Sequence, residues 1–150
     1  MKAQLKWTEG MKFEAATEGN TLNMDTKAPL GTGSAMSPKE LVAVGLAGCT
    51  AMDVVALLKK NKQNYKTFDV DIDVTMSNAG HPIVFSNAIL NFKATGDIAP
   101  NVFLDAVHLS QTKYCGVSAM LAKALPIHYV VTLNNEKIGE GKADFGGQNG

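Results

Sequence analysis

The chain has 150 residues, of which 45% are hydrophobic and 19% charged, as expected for a globular protein that can bury its own core. Its 14 acidic residues balance 14 basic residues, so the composition predicts no charged face for nucleic acid or for an anionic membrane surface. All 14 basic residues are lysine, which means that no position offers the forked guanidinium of arginine.

The apolar runs and the cysteine count predict the cellular compartment of the protein. Residues 1–7 lack the apolar segment of a signal peptide, and the longest weakly polar run, 41–52, is too short and too rich in glycine to span a bilayer. We therefore expect a cytoplasmic protein with a single domain over 1–150 and a flexible glycine-rich tail over about 140–150. In that compartment two cysteines are expected to be reduced, catalytic or inert rather than a permanent bridge.

Three short strands are predicted in the first 25 residues. Apolar and polar side chains alternate from Ala3 to Trp7 and again from Met11 to Ala15, and Gly10 separates the two runs. Gly19-Asn20 is a turn signal, and a third strand follows around 22–24. This pattern predicts a meander with one face that another element must cover.

A long helix is predicted next. Ser37-Pro38-Lys39-Glu40 matches a capping box with proline at the first helical position. From Leu41 to about Leu58 the pattern is helical and its first half is apolar on nearly all sides. Because glycine in a helix interior costs about 1 kcal/mol relative to alanine, we expect another backbone to approach at Gly45 and Gly48. The helix is thus predicted to be central, buried against a sheet and against a partner chain.

Strands and helices alternate in the rest of the chain. The predicted elements are a half-buried strand over 68–76, a returning strand over 83–94, a helix over about 99–110, a helix that starts at Cys115, and a strand over 127–133. Asp97 is expected to cap the first of these helices, and Pro126 to end the second. This order of elements predicts an α+β fold.

Apart from the two cysteines, few residues form a pattern that predicts a catalytic or binding site. His81, His108 and His128 fall in a predicted turn, helix and strand without ligand spacing, so no metal site is expected. The three aspartates of 69–73 share one strand face and are interpreted as solvent-exposed rather than as a cation site. No phosphate-binding glycine loop, nucleophile elbow or dinucleotide motif is present, so no cofactor is predicted.

The two cysteines are the residues that stand out chemically. A thiol at the start of a helix loses its proton more easily because it lies at the positive end of the helix dipole. A second thiol within reach could then close a disulfide on the first after oxidation. The alternative is that Cys49 and Cys115 are small buried hydrophobic side chains, and the residues alone leave both interpretations open.

Two motifs, one around each cysteine, carry a family resemblance. Ser-Pro-x-Glu-Leu-Val-x3-Leu-Ala-Gly-Cys runs from Ser37 to Cys49 and is followed by Asp53-Val54-Val55. Tyr114-Cys115-Gly116-Val117-Ser118 opens the later helix. At this separation the two motifs resemble those of the OsmC/Ohr superfamily, the osmotically induced and organic-hydroperoxide-resistance proteins. The order of strands and helices fits that superfamily over essentially the whole chain.

The resemblance implies an OsmC-like fold, in which antiparallel sheets pack around a long central helix in an intertwined homodimer with two active sites at the subunit interface. In peroxide-reducing members, the cysteine that matches Cys49 attacks the O–O bond and becomes a sulfenic acid. The cysteine that matches Cys115 resolves it as a disulfide, and an external dithiol, often a lipoylated protein, restores both thiols. The partners implied are a second copy of the chain, a small hydroperoxide or apolar ligand, and a dithiol reductant, with neither nucleic acid nor membrane.

Two departures from the family pattern bear on the activity. Peroxide-reducing members place a glutamate directly after the helix-starting proline, where this chain has Lys39, and they hold the thiolate with an N-terminal arginine, which this chain lacks. Glu40 is the candidate for the catalytic carboxylate, although adjacent helical residues point about 100° apart. The alternative interpretation of Glu40 is the second member of a capping box with Ser37.

Three functions remain open on these grounds. The first is a thiol peroxidase, of full or weakened activity, that reduces organic hydroperoxides or related electrophiles in an oxidative stress response. Its catalytic residues would be Cys49, Cys115 and Glu40. The second is a non-catalytic dimer of the same fold that binds a small apolar ligand, and the third is a structural dimer without a ligand. The retained cysteine pair favours the first function. The absence of arginine and the presence of Lys39 favour the second.

Overall fold

The structure is a computed structural model that describes residues 1–146 of the chain. It contains two compact units, one over Met1–Ala43 and one from Val44 onward, and the boundary falls within the long helix. Strands precede and follow that helix, which confirms the predicted α+β class.

The first unit holds a three-stranded antiparallel sheet in the predicted meander. Its strands are β1 (Gln4–Glu9), β2 (Lys12–Thr17) and β3 (Asn20–Met24). Gly10 and Gly19 form the two turns with φ of +49° and +81°, a conformation that glycine adopts without steric cost. Leu5, Trp7 and Leu22 lie on one face of this sheet and are all exposed. The apolar face that was predicted to be covered is therefore open in this unit.

The loop after β3 is organised around Asp25, which the sequence analysis did not single out. The buried carboxylate accepts hydrogen bonds from the backbone and hydroxyl of Thr32 (3.2 and 2.7 Å), from those of Ser34 (3.0 and 2.9 Å) and from the Thr26 N–H (2.7 Å). These bonds, those of Thr32 first, hold the pKa of Asp25 well below its usual range. A charged carboxylate thus organises residues 25–34 directly before the helix.

The helix α1 (Pro38–Lys60) is the predicted long helix, with one face in the core. Its buried residues, spaced four apart, are Leu46, Thr50, Val54 and Leu58. Val42, Val44 and Met52 are exposed, so α1 is not buried on several sides within one chain. A Cβ added at Gly45 or Gly48 would meet nothing within 4 Å. Within one chain no backbone approaches these glycines, and the predicted approach by the backbone of a partner chain stays a prediction.

Length and composition alone would let α1 cross a membrane, contrary to the expectation drawn from the apolar run 41–52. The helix has 23 residues, because the apolar run continues past Asp53 to Leu58. Core helices of soluble proteins meet the same criterion. Leu46, Val54 and Leu58 belong to the hydrophobic core of the second unit, although only 22% of the most apolar stretch of α1 is buried.

The second unit is built on a four-stranded sheet in the order β4-β5-β6-β7. Its strands are β4 (Asn64–Met76), β5 (Phe85–Asp97), β6 (Ile127–Leu133) and β7 (Glu136–Lys142). The connection from β5 to β6 contains α2 (Pro100–Leu109), a π-helical turn (Ser110–Tyr114) and α3 (Gly116–Leu121). That connection makes the β5–β6 pair parallel, whereas the other neighbouring pairs are antiparallel. The core lies between this sheet and the helices, around Leu90, Phe92 and Phe103.

Two details of the second unit differ from the prediction. Asp97 ends β5 and does not cap α2, whose N-cap is Ala99, and the Ala99 N–H donates to Gln63 Oε1 at 2.7 Å. The tail predicted to be flexible is the strand β7 as far as Lys142. Side chains approach the β7 backbone closely at its two glycines, since a Cβ would lie 2.6 Å from a methyl of Leu104 at Gly139 and 2.4 Å from the Tyr129 hydroxyl oxygen at Gly141. Residues 143–146 of the predicted tail form neither helix nor strand, and residues 147–150 lie outside the described residues.

Gly96 is expected to be sensitive to substitution, because its backbone conformation and its close neighbours both favour glycine. It has φ of +130°, and a Cβ there would lie 2.5 Å from the Asn64 carbonyl oxygen and 2.8 Å from the Lys66 nitrogen. Because backbone atoms cannot move away cheaply, Gly96→Ala should lower the free energy of unfolding by about 1–3 kcal/mol in denaturant titrations. Gly80→Ala is the matched control, with φ of +91° and no atom within 4 Å of the added carbon. Equal losses in the two variants would show that the contact with β4 is unimportant.

Candidate active site

The two cysteines occupy different positions on their helices. Cys49 lies in the middle of α1 and is half-buried, so it is far from the positive end of that helix. Cys115 is fully buried and is the N-cap of α3, where its Sγ accepts a hydrogen bond from the Ser118 N–H at 3.3 Å. The structure therefore places Cys115, but not Cys49, at the helix start that the sequence analysis associated with an activated thiol.

The structure brings both cysteines together with one carboxylate. The Sγ atoms of Cys49 and Cys115 and a carboxylate oxygen of Asp53 all lie within 4.8 Å of one another, and both thiols are free. Asp53 follows Cys49 by four residues on α1, which places the two side chains on the same helix face. Asp53 belongs to the motif that follows Cys49 and was not predicted as a site residue, although its spacing from Cys49 was a signal for it.

The environment of Cys115 favours the thiol form. The pKa of Cys115 is raised to about 11, mainly by burial and to a smaller extent by the neighbouring Cys49, while the hydrogen bonds with Ser118 act in the opposite direction. Desolvation thus outweighs the helix start. The expectation that such a position lowers the pKa is wrong for Cys115, because the sulfur is shielded from water.

A chain of buried polar groups leads to Asp53. Gln111 Nε2 donates to Thr50 Oγ1 at 2.8 Å, Thr50 Oγ1 lies 2.8 Å from Ser110 Oγ, and Ser110 Oγ donates to Asp53 Oδ2 at 2.9 Å. Ser110 and Gln111 come from the π-helical turn, a geometry often found at functional sites. This chain of hydrogen bonds fixes one oxygen of Asp53. Nothing in the sequence distinguishes these serine, threonine and glutamine residues before the fold is known.

Glu40 is not part of the group around the sulfurs. Its Oε2 accepts a hydrogen bond from the Ser37 N–H at 2.7 Å, and the Glu40 N–H points back to Ser37 Oγ at 3.4 Å, which completes the predicted capping box. Its Oε1 lies 3.3 Å from Lys27 Nζ. The bonds with Ser37 first, and then Lys27, lower the pKa of Glu40. A catalytic role for Glu40 stays a prediction, and its observed contacts are those of a helix cap.

The other predicted features are placed as follows. Within residues 1–146, no histidine joins a group of three or more ligating side chains. His108 Nδ1 instead lies 3.2 Å from the Tyr129 hydroxyl. The aspartates of 69–73 are exposed, as predicted, and Asp71 pairs with Lys93 across the sheet. The two cysteines and Asp53 are therefore the group with the chemistry of a site.

Comparison with known proteins gives this arrangement a context. The family model for OsmC-like proteins matches residues 31–130. Protein YhfA of Escherichia coli K12, whose name states no activity, is 37% identical over 135 residues, which cover 85% of this chain and 93% of that protein.

Two solved structures share the fold. The OsmC-like protein of Mycoplasma pneumoniae has a TM-score of 0.77 at 13% identity, over 88% of this chain and 95% of that chain. A candidate organic hydroperoxide resistance protein of Vibrio cholerae, with captopril bound in one of its active sites, has a TM-score of 0.62 at 17% identity, over 91% and 94% of the chains. These likenesses confirm the predicted OsmC-like fold. Since the family model also covers more than half of the sequence, the chain belongs to the family of OsmC-like proteins.

Proposed function

We propose that this protein is a thiol-dependent reductase of organic hydroperoxides or related electrophiles, with Cys49 as the thiol that reacts with the peroxide and Cys115 as the resolving thiol. The observation that carries the proposal is the distance between the two sulfurs, at most 4.8 Å although 66 positions separate the residues. Side-chain rotation can close such a gap to the roughly 2.05 Å of an S–S bond. A half-buried Cys49 and a buried Cys115 also suit the two roles, since only the first must meet the substrate.

The reaction is two displacements at sulfur followed by reduction. The Cys49 thiolate attacks one oxygen of the hydroperoxide, an S–O bond forms as the O–O bond breaks, and the alkoxide leaves as the alcohol after taking a proton. The Cys115 sulfur then attacks the sulfenic acid, an S–S bond forms, and the hydroxyl leaves as water. An external dithiol supplies the two electrons that return both cysteines to thiols.

Two features of the sequence limit the activity that is proposed: the chain has no arginine, and Lys39 stands where peroxide-reducing members have a glutamate. Lysine supplies charge but cannot pair through a fork with a sulfur and a carboxylate at the same time. We therefore expect the first step to be slower than in family members that have the arginine and the glutamate. The V. cholerae structure, with a small molecule in an active site, supports a small-molecule substrate for this fold.

The experiment that tests the proposal is a thiol titration under anaerobic conditions. Before treatment we expect two titratable thiols per chain in denaturant, and after one equivalent of alkyl hydroperoxide we expect none. Peptide mass mapping should then show a single disulfide between Cys49 and Cys115. Two thiols that survive the treatment would refute the proposed activity.

A homodimer is part of the proposal. α1 leaves Val42, Val44 and Met52 exposed, and the first sheet leaves Leu5 and Trp7 exposed. Soluble monomers rarely expose large contiguous apolar patches, so a partner chain is the expected cover. The open space around Gly48 fits this arrangement, because a glycine on α1 lets a partner backbone approach.

Light scattering at micromolar concentration is expected to give twice the mass of one chain. Gly48→Leu should shift the protein toward monomer, because the added side chain overpacks the interface at a typical cost of about 1–3 kcal/mol. Within one chain it meets no atom within 4 Å of its Cβ, and leucine favours the helix, so the fold should be retained. A monomer mass for the parent protein would contradict both the dimer and a site at its interface.

One feature favours the alternative of a non-catalytic binding protein. A shallow apolar groove of about 380 Å³ runs along α1 and is lined by Ala51, Met52, Val55, Ala56, Lys59 and Phe68. Such a groove could take an apolar ligand without any sulfur chemistry. The thiol titration separates the two functions, since a bound ligand leaves both thiols free.

A further inference from the structure

We propose that Cys49, Asp53 and Cys115 also form a binding site for one Zn²⁺ ion. The three side chains converge from α1 and from the start of α3, and their ligand atoms all lie within 4.8 Å of one another. Two thiolates and a carboxylate are ligands that zinc uses in proteins. The group contains no histidine, and for that reason histidine spacing in the sequence predicted no metal.

The distances suit a tetrahedral ion after small side-chain movements. With Zn–S bonds of about 2.3 Å, two sulfurs on one tetrahedral ion lie about 3.8 Å apart. The observed limit of 4.8 Å therefore requires the ligand atoms to approach by about 1 Å at most, which χ rotation can supply. Cys49 and Asp53 are half-buried, so the fourth coordination position can reach water.

The surroundings orient two of the three ligands. Ser110 Oγ donates to Asp53 Oδ2 at 2.9 Å, which leaves Oδ1 for a metal, and the Ser118 N–H donates to Cys115 Sγ at 3.3 Å. Hydrogen bonds of this kind hold ligands in place in known metal sites. The charges also balance well, because Zn²⁺ offsets two of the three negative charges that the ligands carry together.

Binding of the ion is an acid–base step without electron transfer. Each thiol that carries a proton releases it to the solvent as its Zn–S bond forms, and both sulfurs stay fully reduced. The disulfide uses the same two sulfurs, so zinc and the disulfide exclude each other. The oxidised protein should release the ion, and the zinc-loaded protein should be protected from hydroperoxide.

Competition with a chromophoric zinc chelator tests the site in the reduced, full-length protein. We expect one Zn²⁺ per chain, and Co²⁺ in its place should give the near-ultraviolet charge-transfer band of thiolate ligands. Asp53→Asn should weaken zinc binding by at least about 10-fold. Asp105→Asn on the exposed face of α2 removes the same charge and should leave the affinity unchanged.

A comparison of reduced and diamide-oxidised parent protein needs no substitution and so does not depend on variant folding. Oxidation should abolish the cobalt band and weaken zinc binding by at least about 100-fold, and a dithiol should restore both. Unchanged zinc affinity in Asp53→Asn, or in the oxidised protein, would overturn the three-ligand site and place the ion elsewhere. Thiols that bind zinc but ignore hydroperoxide would refute the proposed reductase and leave the zinc site standing.

Discussion

Replacing Cys49 by serine is expected to abolish hydroperoxide consumption. A serine hydroxyl cannot form the sulfenic acid on which the proposed cycle depends, and the buried Cys115, with its pKa raised to about 11, is a poor substitute nucleophile at neutral pH. The measurement is the loss of an alkyl hydroperoxide with a dithiol reductant in excess. The fold should survive, because serine has nearly the same volume and Cys49 is only half-buried.

Cys115→Ser is the matched variant and should behave differently. It retains Cys49, so in the absence of a reductant it should consume one equivalent of hydroperoxide per chain and then stop as the sulfenic acid, which a dimedone adduct at Cys49 would reveal. If both variants consume hydroperoxide at the rate of the parent protein, Cys49 is a packing residue. The non-catalytic binding protein would then be the better description.

Most elements with a strong apolar period were predicted from the sequence alone. The capping box before α1 and the alternation in β4 and β6 are local patterns, and the structure confirms all three elements. The strand β7 was missed because Glu136–Lys142 contains two glycines and little apolar alternation. Its strand conformation depends on pairing with β6 and on close contacts with Leu104 and Tyr129, which only the fold brings together.

The candidate site was predictable only in part. Its two cysteines were named from their motifs, and Asp53 was within reach of the same reasoning because it lies one helical turn after Cys49. The π-helical turn was not predictable, since no local pattern distinguishes its five residues from the end of α2. Without that turn, neither the contact from Ser110 to Asp53 nor the burial of Cys115 could be inferred. The predicted direction of the pKa shift at Cys115 was wrong for the same reason, because the burial that raises this pKa depends on the π-helical turn.

The rate of disulfide formation after oxidation is expected to rise about tenfold for each pH unit between pH 7 and 10. The thiolate is the attacking form, and a pKa of about 11 leaves about one Cys115 in ten thousand deprotonated at pH 7. Since burial raises the pKa, the reactive form is gained as the pH increases toward 11. One equivalent of hydroperoxide, a rapid acid quench and mass spectrometry would follow the conversion of sulfenic acid to disulfide.

The oxidation of Cys49 by hydroperoxide must be measured separately, so that its pH dependence can be distinguished from that of disulfide formation. Single-turnover oxidation of Cys115→Ser over the same pH range provides it, because that variant stops before resolution, and circular dichroism at each pH confirms that the protein stays folded. A flat profile for disulfide formation in the parent protein would contradict the prediction. A flat profile would mean that the proton of Cys115 passes to a group inside the site. Asp53 is the candidate acceptor, because a carboxylate oxygen of this residue lies within 4.8 Å of both sulfurs. The variant Asp53→Asn would then test this role.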